Sequence, residues 1–200
     1  LEHFWQGDDK PAANGMTIFE YRISAFIEKL DLKATPEAIT ETAGELCETW
    51  QGYLDVDPVA EVVIGRLSQS FVVGLVTNFD HPPHVHRTLQ AHGLSGRFET
   101  IVVSAEEGIK KPDPEILRRA CKNIGCDPAD ALYVGDSLVD YQAAIGAGIV
   151  PVIIRREGQG EIENTRDIRT SHMDADSFLY ERAETGELTM IQGLEELPNL

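Results

Sequence analysis

From residue 71 onward, short and largely apolar runs alternate with amphipathic helical patterns, and this alternation constrains the fold more than any other feature. Continuous runs of this kind are typical of strands that are covered on both faces. The four runs are residues 71–76, 100–103, 131–134 and 150–154. Strands that alternate with helices predict a parallel sheet with right-handed crossovers. We therefore expect an α/β fold, a Rossmann-like parallel sheet sandwiched by helices.

The earlier part of the chain carries helical signals only. Apolar residues recur at helical spacing over residues 17–30. Thr35-Pro36 and Asp57-Pro58 each combine a capping residue with a proline at the first helical position. The sequence therefore predicts a helical region ahead of the sheet.

These patterns divide the chain into two parts. A polar N-terminal segment and the helical region occupy residues 1–70, and the α/β part occupies residues 71–200. Within the second part, residues 155–187 are charged and weakly patterned, which predicts a long surface loop with an interaction or lid role as the alternative. Residues 189–191 fit a final edge strand, and residues 194–197 fit a closing helical turn.

The composition excludes several classes of partner. The formal net charge is −17, so nucleic acids and anionic membranes would be repelled. The sequence contains no apolar stretch of the ~20 residues that a membrane span needs, and its N-terminus lacks a signal-peptide pattern. Three cysteines without metal spacing are typical of reduced thiols. We expect a cytoplasmic protein, a monomer or a homodimer.

Two carboxylates follow the third apolar run directly. Residues 135–140 read Gly-Asp-Ser-Leu-Val-Asp, which places Asp136 and Asp140 at the C-terminal end of a predicted strand. Ligands of open α/β sheets bind at that edge. Mg²⁺ is commonly held by one or two carboxylates together with water and phosphate oxygens. We therefore predict that Asp136 and Asp140 bind a divalent metal ion.

Two further strand ends supply groups that suit a phosphate. Thr77 offers a hydroxyl, and its neighbour Asn78 offers a backbone N–H, where the first strand turns toward a helix. Lys111, held by Pro112 before a helix, places a positive charge at the same edge. Each signal has a plainer alternative, since a threonine after a strand is often a cap and a lysine before a helix is often solvated. Asp113 is interpreted as a helix cap.

These motifs together resemble the haloacid dehalogenase-like hydrolase superfamily. Thr77 corresponds to its second motif, Lys111 in KKPDP to its third, and Asp136 and Asp140 in GDSLVD to its fourth. The resemblance covers at least residues 71–154. The helical region before it is similar to the mobile cap that this family inserts above the active site.

The resemblance implies a Mg²⁺-dependent phosphatase that acts on small phosphorylated metabolites through an aspartyl-phosphate. Thr77 and Asn78 would bind the phosphoryl group, and Lys111 would neutralise its developing charge. Asp136 would hold Mg²⁺ directly, and Asp140 would hold it directly or through water or lysine. The catalytic residues implied here are thus Thr77 and Lys111.

The family's first motif is not found where the resemblance requires it. No apolar strand that ends in Asp-x-Asp-x-Thr/Val precedes the predicted cap, and Asp8 and Asp9 are adjacent instead of spaced. In the family this strand carries the nucleophile and lies between the strands that end here at Thr77 and Gly135. We expect that the natural protein has such a strand, and that this chain assayed alone is inactive.

Other interpretations stay open. The first strand is alternatively replaced by another chain or by residues 155–191, or the protein is a non-catalytic relative that binds phosphate or metal and regulates a partner. Among enzymes, a 2-haloacid dehalogenase would need no Mg²⁺, and a phosphomutase would use the same intermediate.

Two clusters of basic side chains are expected at the surface. His81, His84 and His86 predict an exposed turn and helix start, because no cysteine or carboxylate completes a zinc set. The alternatives are a transition-metal site or a contact with substrate beside Thr77. Arg155 and Arg156 follow the last predicted parallel strand and are expected to be solvated, with an electrostatic role near substrate as the alternative.

Overall fold

The structure, a computed structural model, describes residues 15–53, 55–156 and 169–199. The expectations for residues 1–14, including Asp8 and Asp9, lie outside the described residues. The α-helices are α1 (Ile18–Lys29), α2 (Pro36–Gln51), α3 (Ala60–Leu67), α4 (Pro82–Ala91), α5 (Ser104–Glu107), α6 (Glu115–Ile124), α7 (Leu138–Ala147) and α8 (Arg169–Glu184). The strands are β1 (Gly74–Thr77), β2 (Thr100–Val103), β3 (Leu132–Gly135), β4 (Val150–Ile154) and β5 (Thr189–Ile191). Two 3₁₀ turns span Pro128–Asp130 and Leu194–Asn199.

The strands are parallel, but they form two sheets instead of one. β1 pairs with β2, and β4 lies between β3 and β5. One edge of β1 and one edge of β3 therefore have no strand partner within the described ranges. The expected α/β class with parallel strands is confirmed, while the sheet is divided between β1 and β3.

A shared layer of helices joins the two sheets. α6 packs on β1 and β2, α7 packs on β3 and β4, and the two helices contact each other. Their interface is fully buried at Ile116, Leu117, Ala143 and Ala144. Because the alanines of α7 have short side chains, the longer side chains of α6 fit against them. The two helices thus hold β1 and β3 side by side, although no strand ladder joins these two strands among the described residues.

The helical region has a core of its own. Thr17 caps α1, accepts a hydrogen bond from the backbone of Glu20, and its own N–H donates to the Glu20 carboxylate. Ile23 of α1 packs against Ile39 and Ala43 of α2, and all three are buried. The predicted helical character of this part of the chain is confirmed. No helix among the described residues is both long and apolar enough to cross a bilayer.

The first strand is shorter than its apolar run. β1 starts at Gly74, and Phe71 and Val72 are 67% and 59% exposed. The Phe71 N–H donates to the carbonyl of Leu67, so this residue still belongs to the turn that ends α3. The run therefore includes a helix end as well as a strand, and its first residues are not covered on both faces.

The charged stretch near the C-terminus contains a helix, which differs from the loop expected over residues 155–187. α8 spans Arg169–Glu184, and Leu179 is completely buried against Ile153 and Leu188. Residues 157–168 lie outside the described residues. The predicted edge strand at 189–191 and the closing helical turn are both present.

Candidate active site

The turn after β3 brings the chain unusually close to the start of α7. A Cβ added to Gly135 would lie 2.3 Å from the Cβ of Asp140, a distance that real side chains do not reach. Only glycine permits this approach. Gly135 therefore allows the Asp140 carboxylate to fold back over the strand end.

Asp140 is the most heavily hydrogen-bonded side chain of this edge. One carboxylate oxygen accepts from the backbone N–H groups of Asp136 and Ser137, at 3.2 and 3.1 Å, and from the Ser137 hydroxyl. The other oxygen accepts from the Tyr133 hydroxyl at 3.1 Å and from Lys111 Nζ at 2.7 Å. Five donors thus occupy a carboxylate that has about four lone-pair positions.

These donors decide the ionisation of Asp140. Burial by itself would raise the pKa of this carboxyl group. The charge of Lys111 and the hydrogen bonds from Lys111, Ser137 and Asp136 outweigh burial, so the pKa of Asp140 lies below its ordinary value. Asp140 is therefore a carboxylate at neutral pH, and its charge is balanced by the adjacent ammonium.

Lys111 is buried beside Asp140 and reaches both sheets. Its ammonium lies 3.0 Å from the Tyr133 hydroxyl of β3 and 3.5 Å from the Val76 carbonyl oxygen of β1. Its side chain is only 11% exposed. The Asn78 amide donates to the Lys111 carbonyl and accepts from the Lys111 N–H, both at 2.9 Å. The end of β1 therefore holds the lysine loop in place.

Two polar groups at this edge are left uncommitted. Neither the Thr77 hydroxyl nor the Asp136 carboxylate hydrogen-bonds to another side chain or backbone group of the described chain, and Asp136 is exposed. Asp136 and Thr77 each lie one residue from groups that hold the Lys111–Asp140 pair. The predicted residues thus lie in one region. Lys111 and Asp140 are paired with each other, whereas the Thr77 hydroxyl and the Asp136 carboxylate make no hydrogen bond within the described chain.

The fit of a metal ion rests on Asp136. Groups of three or more histidine, cysteine, aspartate or glutamate side chains that could hold a metal do not occur in the described ranges. Mg²⁺ does not need such a group, because one or two carboxylates suffice when water and phosphate complete the shell. Asp136 meets that requirement. Asp140 as a second ligand stays a prediction, and it would have to give up a present hydrogen bond.

An Asp-x-Asp-x-Val pattern does occur, at Asp55, Asp57 and Val59, but it follows no strand. It lies in the irregular segment before α3. The Asp57 carboxylate accepts from the Val59 N–H at 3.0 Å and pairs with Arg156 at 2.7 Å.

Arg155 donates to the Asp136 carbonyl. Arg155 and Arg156 therefore make contacts within the protein, and the expectation that they are solvated is wrong.

The histidine cluster is largely buried, which corrects the expected exposed turn. His81 and His84 are 3% and 5% exposed, and only His86 is exposed as predicted. The Thr17 hydroxyl lies 2.9 Å from His81 Nδ1, and the Gln51 side-chain oxygen lies 3.2 Å from His84 Nε2. Burial lowers the pKa of both histidines. These contacts join α1 and α2 to the start of α4, the helix that follows β1.

One residue of the site, Tyr133, was not anticipated from the sequence. Its hydroxyl contacts both Lys111 and Asp140. A tyrosine in a short, largely apolar strand is a recognisable signal, because its hydroxyl needs a partner where the ring is buried. The sequence does not reveal which partner, since Lys111 and Asp140 are brought there by other elements.

The family of the chain is shown by comparison with known proteins. A family model described as haloacid dehalogenase-like hydrolase matches residues 8–148, which exceeds half of the chain. A solved HAD phosphatase from Thermococcus onnurineus superposes with a TM-score of 0.58 at 24% identity, covering 88% of this chain and 68% of its own. At that identity the superposition supports the fold.

Curated relatives agree with the family model. A glyceraldehyde 3-phosphate phosphatase of Pyrococcus furiosus is 27% identical over 147 residues, covering 72% of this chain and 61% of the relative. Haloacid dehalogenase-like hydrolase domain-containing protein 3 of Mus musculus is 31% identical over 147 residues, covering 68% and 56%. The chain spans about half the length of the curated relatives it matches. The chain belongs to the haloacid dehalogenase-like hydrolase family.

Proposed function

We propose that this protein is a Mg²⁺-dependent phosphatase of small phosphorylated metabolites. The observation that carries the proposal is the buried pair of Lys111 and Asp140, at 2.7 Å, beside the uncommitted Thr77 hydroxyl and Asp136 carboxylate. A lysine that is largely shielded from water interacts more strongly with an anion than a solvated lysine does, because the local dielectric constant is lower. The arrangement therefore suits a phosphate and a divalent cation together.

The phosphate is bound by the end of β1 and by Lys111. The Thr77 hydroxyl and the Asn78 N–H donate to phosphoryl oxygens, and the Lys111 ammonium neutralises the charge that develops on them. The Asn78 side chain supports this role indirectly, because its two hydrogen bonds fix the backbone of Lys111. These two hydrogen bonds are present without substrate, which would limit the reorganisation that the reaction needs.

Asp136 would hold the metal ion, together with phosphate and water. When bound, Mg²⁺ would supply positive charge that offsets the negative charge of the phosphate. Asp140 contributes by holding Lys111 and the turn at Gly135, which in turn sets the position of Asp136.

The reaction passes through an aspartyl-phosphate. A carboxylate oxygen attacks phosphorus, the bond to the ester oxygen breaks, and a general acid gives its proton to the leaving alcohol oxygen. Water then attacks the acyl phosphate, returns a proton to that group and releases inorganic phosphate, which restores the carboxylate. The nucleophile belongs on a strand between β1 and β3. Within the part of the chain that the structure describes, one edge of each of these strands lacks a partner, and this supports the proposal because a parallel strand there would pair with both edges.

The helical region, within residues 1–70, acts as the cap. Trp50, at the end of α2, lies 5.8 Å from the ring of Phe79, which follows the phosphate-binding turn and stacks on His84. Contacts between α2 and this turn allow the cap to influence which esters enter. The relative from Pyrococcus furiosus acts, by its name, on glyceraldehyde 3-phosphate, so small phosphate monoesters are the proposed substrate class.

A non-catalytic phosphate-binding protein is the second candidate. It is favoured by one observation: each of the five strands in the described ranges ends without an Asp-x-Asp pair. Both candidates bind phosphate at Thr77 and Lys111, so turnover separates them. By the same observation, we expect the 200-residue chain assayed alone to bind phosphate without turning over esters.

The test is phosphate release by the product of the complete reading frame. Glyceraldehyde 3-phosphate, phosphoglycolate, sugar phosphates, nucleotides and an aryl phosphate are assayed with Mg²⁺ and with a chelator. We expect Mg²⁺-dependent release, lowered about 100-fold or more by Lys111→Met or Asp136→Asn. Lys122→Met, which changes an exposed lysine on α6, is the matched control. Absence of release from every ester, or release that the chelator leaves unchanged, would overturn the proposal.

A further inference from the structure

The Tyr133 hydroxyl completes a triangle of buried polar groups. It lies 3.0 Å from Lys111 Nζ and 3.1 Å from Asp140 Oδ1, and the latter two atoms are 2.7 Å apart. The ring packs against the core between α6 and α7. A tyrosine needed only for packing would not require its hydroxyl in contact with both members of an ion pair.

The direction of these hydrogen bonds follows from the chemistry of the three groups. A phenol keeps its proton at neutral pH, a carboxylate only accepts and an ammonium only donates. That proton goes to Asp140, which is closer than the Val76 carbonyl oxygen at 3.5 Å and is charged. The phenol oxygen is left to accept from Lys111.

This geometry determines which hydrogen of Lys111 remains available. An ammonium has three hydrogens, and two of them are taken by Asp140 and Tyr133. The third faces the Val76 carbonyl at 3.5 Å, which is longer than an ordinary hydrogen bond. Val76 directly precedes Thr77, so the weakly held hydrogen points toward the end of β1.

We propose that Tyr133 is a positioning residue that orients the Lys111 ammonium toward a phosphate bound at Thr77. This inference rests on the proposed function, because the phosphate is the group that would receive the third hydrogen. Tyr133 itself does not touch the phosphate. It acts by accepting one lysine hydrogen and by holding Asp140 in its present position.

The first test needs no ligand. Acetic anhydride labelling of the full chain, read by mass spectrometry, measures the reactivity of Lys111 relative to the exposed Lys122. Tyr133→Phe keeps the ring and removes the hydroxyl, so we expect Lys111 labelling to increase about fivefold, the effect of one lost hydrogen bond. Tyr141→Phe removes a hydroxyl on α7, away from Lys111, and should change nothing. Unchanged labelling of Lys111 in Tyr133→Phe would overturn the proposal.

The second test separates positioning from a structural role. The affinity for inorganic phosphate with Mg²⁺ is measured by calorimetry for Tyr133→Phe, Lys111→Met and the double variant. We expect Tyr133→Phe to weaken binding about fivefold in the native background, and to have no further effect once Lys111 is gone. Equal weakening in both backgrounds would overturn the positioning role. If the native chain bound no phosphate, the proposed function would fail, whereas the labelling result would still decide the role of Tyr133.

Discussion

At the scale of single residues, Lys111 and Asp140 depend on each other because both are buried. Their side chains are 11% and 5% exposed. Replacing Lys111 with methionine leaves a buried carboxylate without its counter-charge. We expect the free energy of unfolding to fall by about 3 kcal/mol, measured with urea at neutral pH. Lys122→Met should leave stability within about 0.5 kcal/mol. A loss no larger than that in Lys111→Met would show that the pair is not coupled.

Gly135 gives a second prediction at this scale. An alanine Cβ would collide with Asp140 at 2.3 Å, so the carboxylate would have to leave its five donors. We expect Gly135→Ala to lower the free energy of unfolding by about 2 kcal/mol or more. Gly65→Ala, within α3 and with no atom near its added methyl, should raise stability by about 0.5 to 1 kcal/mol. Equal effects of the two changes would contradict the close approach.

The sequence predicts the residue types of the site better than their partners. Thr77, Lys111, Asp136 and Asp140 follow from motifs at strand ends, since the ends of parallel strands meet at one edge. That Asp140 is saturated by donors does not follow from the motif, because three of its five donors are Lys111, Tyr133 and a serine hydroxyl whose directions depend on packing. Tertiary contacts of this kind leave no periodic signal.

At the scale of elements, the patterned strands and helices were predictable and the polar helix α8 was not. Its buried anchor, Leu179, is flanked by Phe178 and Tyr180, but Asp176 and Arg182 stand three residues away on either side, so no apolar stripe at helical spacing marks the helix. The apolar run also predicts too early a start for β1, because it contains apolar residues that lie outside the strand. Phe71 and Val72 are apolar and exposed, and they extend the run beyond the paired strand.

The packing of α8 can be tested by one truncation. Leu179→Ala would leave a cavity between α8, Ile153 and Leu188. We expect the free energy of unfolding to fall by about 2 to 5 kcal/mol in urea titrations. The matched control is Leu46→Ala, because Leu46 is 49% exposed on α2. If the two variants lost similar small amounts of stability, α8 would not be packed as described.

At the scale of the whole molecule, the junction between the helical region and the α/β part contains two buried histidines. Burial lowers the pKa of His81 and His84 below 6.5. As the pH falls through 6.5, these histidines bind protons in the unfolded chain before they do so in the folded chain. Protonation therefore favours the unfolded chain, and the free energy of unfolding decreases as the pH falls. His81 faces Glu20 and Arg87, and His84 faces Arg87 and Glu48.

The corresponding measurement compares urea unfolding at pH 7.5 and pH 5.5. We expect the loss of stability on acidification to be smaller in His84→Gln than in the native chain. His86→Gln is the matched control, because His86 is exposed and should keep the native pH dependence. A pH dependence in His84→Gln equal to that of the control would remove buried histidine as the cause.

The fold class of the molecule was predictable, whereas the division of its sheet required coordinates. Alternating runs predict parallel strands, but they do not reveal which strands are neighbours. β1 and β3 are joined by α6, α7 and the side chains of Lys111 and Tyr133, and not by a strand ladder among the described residues. The site therefore lies across the division between the two sheets.

The convergence of Thr77, Lys111 and Asp136 on one anion and one cation is tested most directly by a crystal structure of the chain with Mg²⁺ and inorganic phosphate. We predict a phosphate whose oxygens lie within about 3.2 Å of the Thr77 hydroxyl and Lys111 Nζ, and a Mg²⁺ ion bound by the Asp136 carboxylate. Phosphate bound elsewhere, or Mg²⁺ bound away from Asp136, would contradict the account.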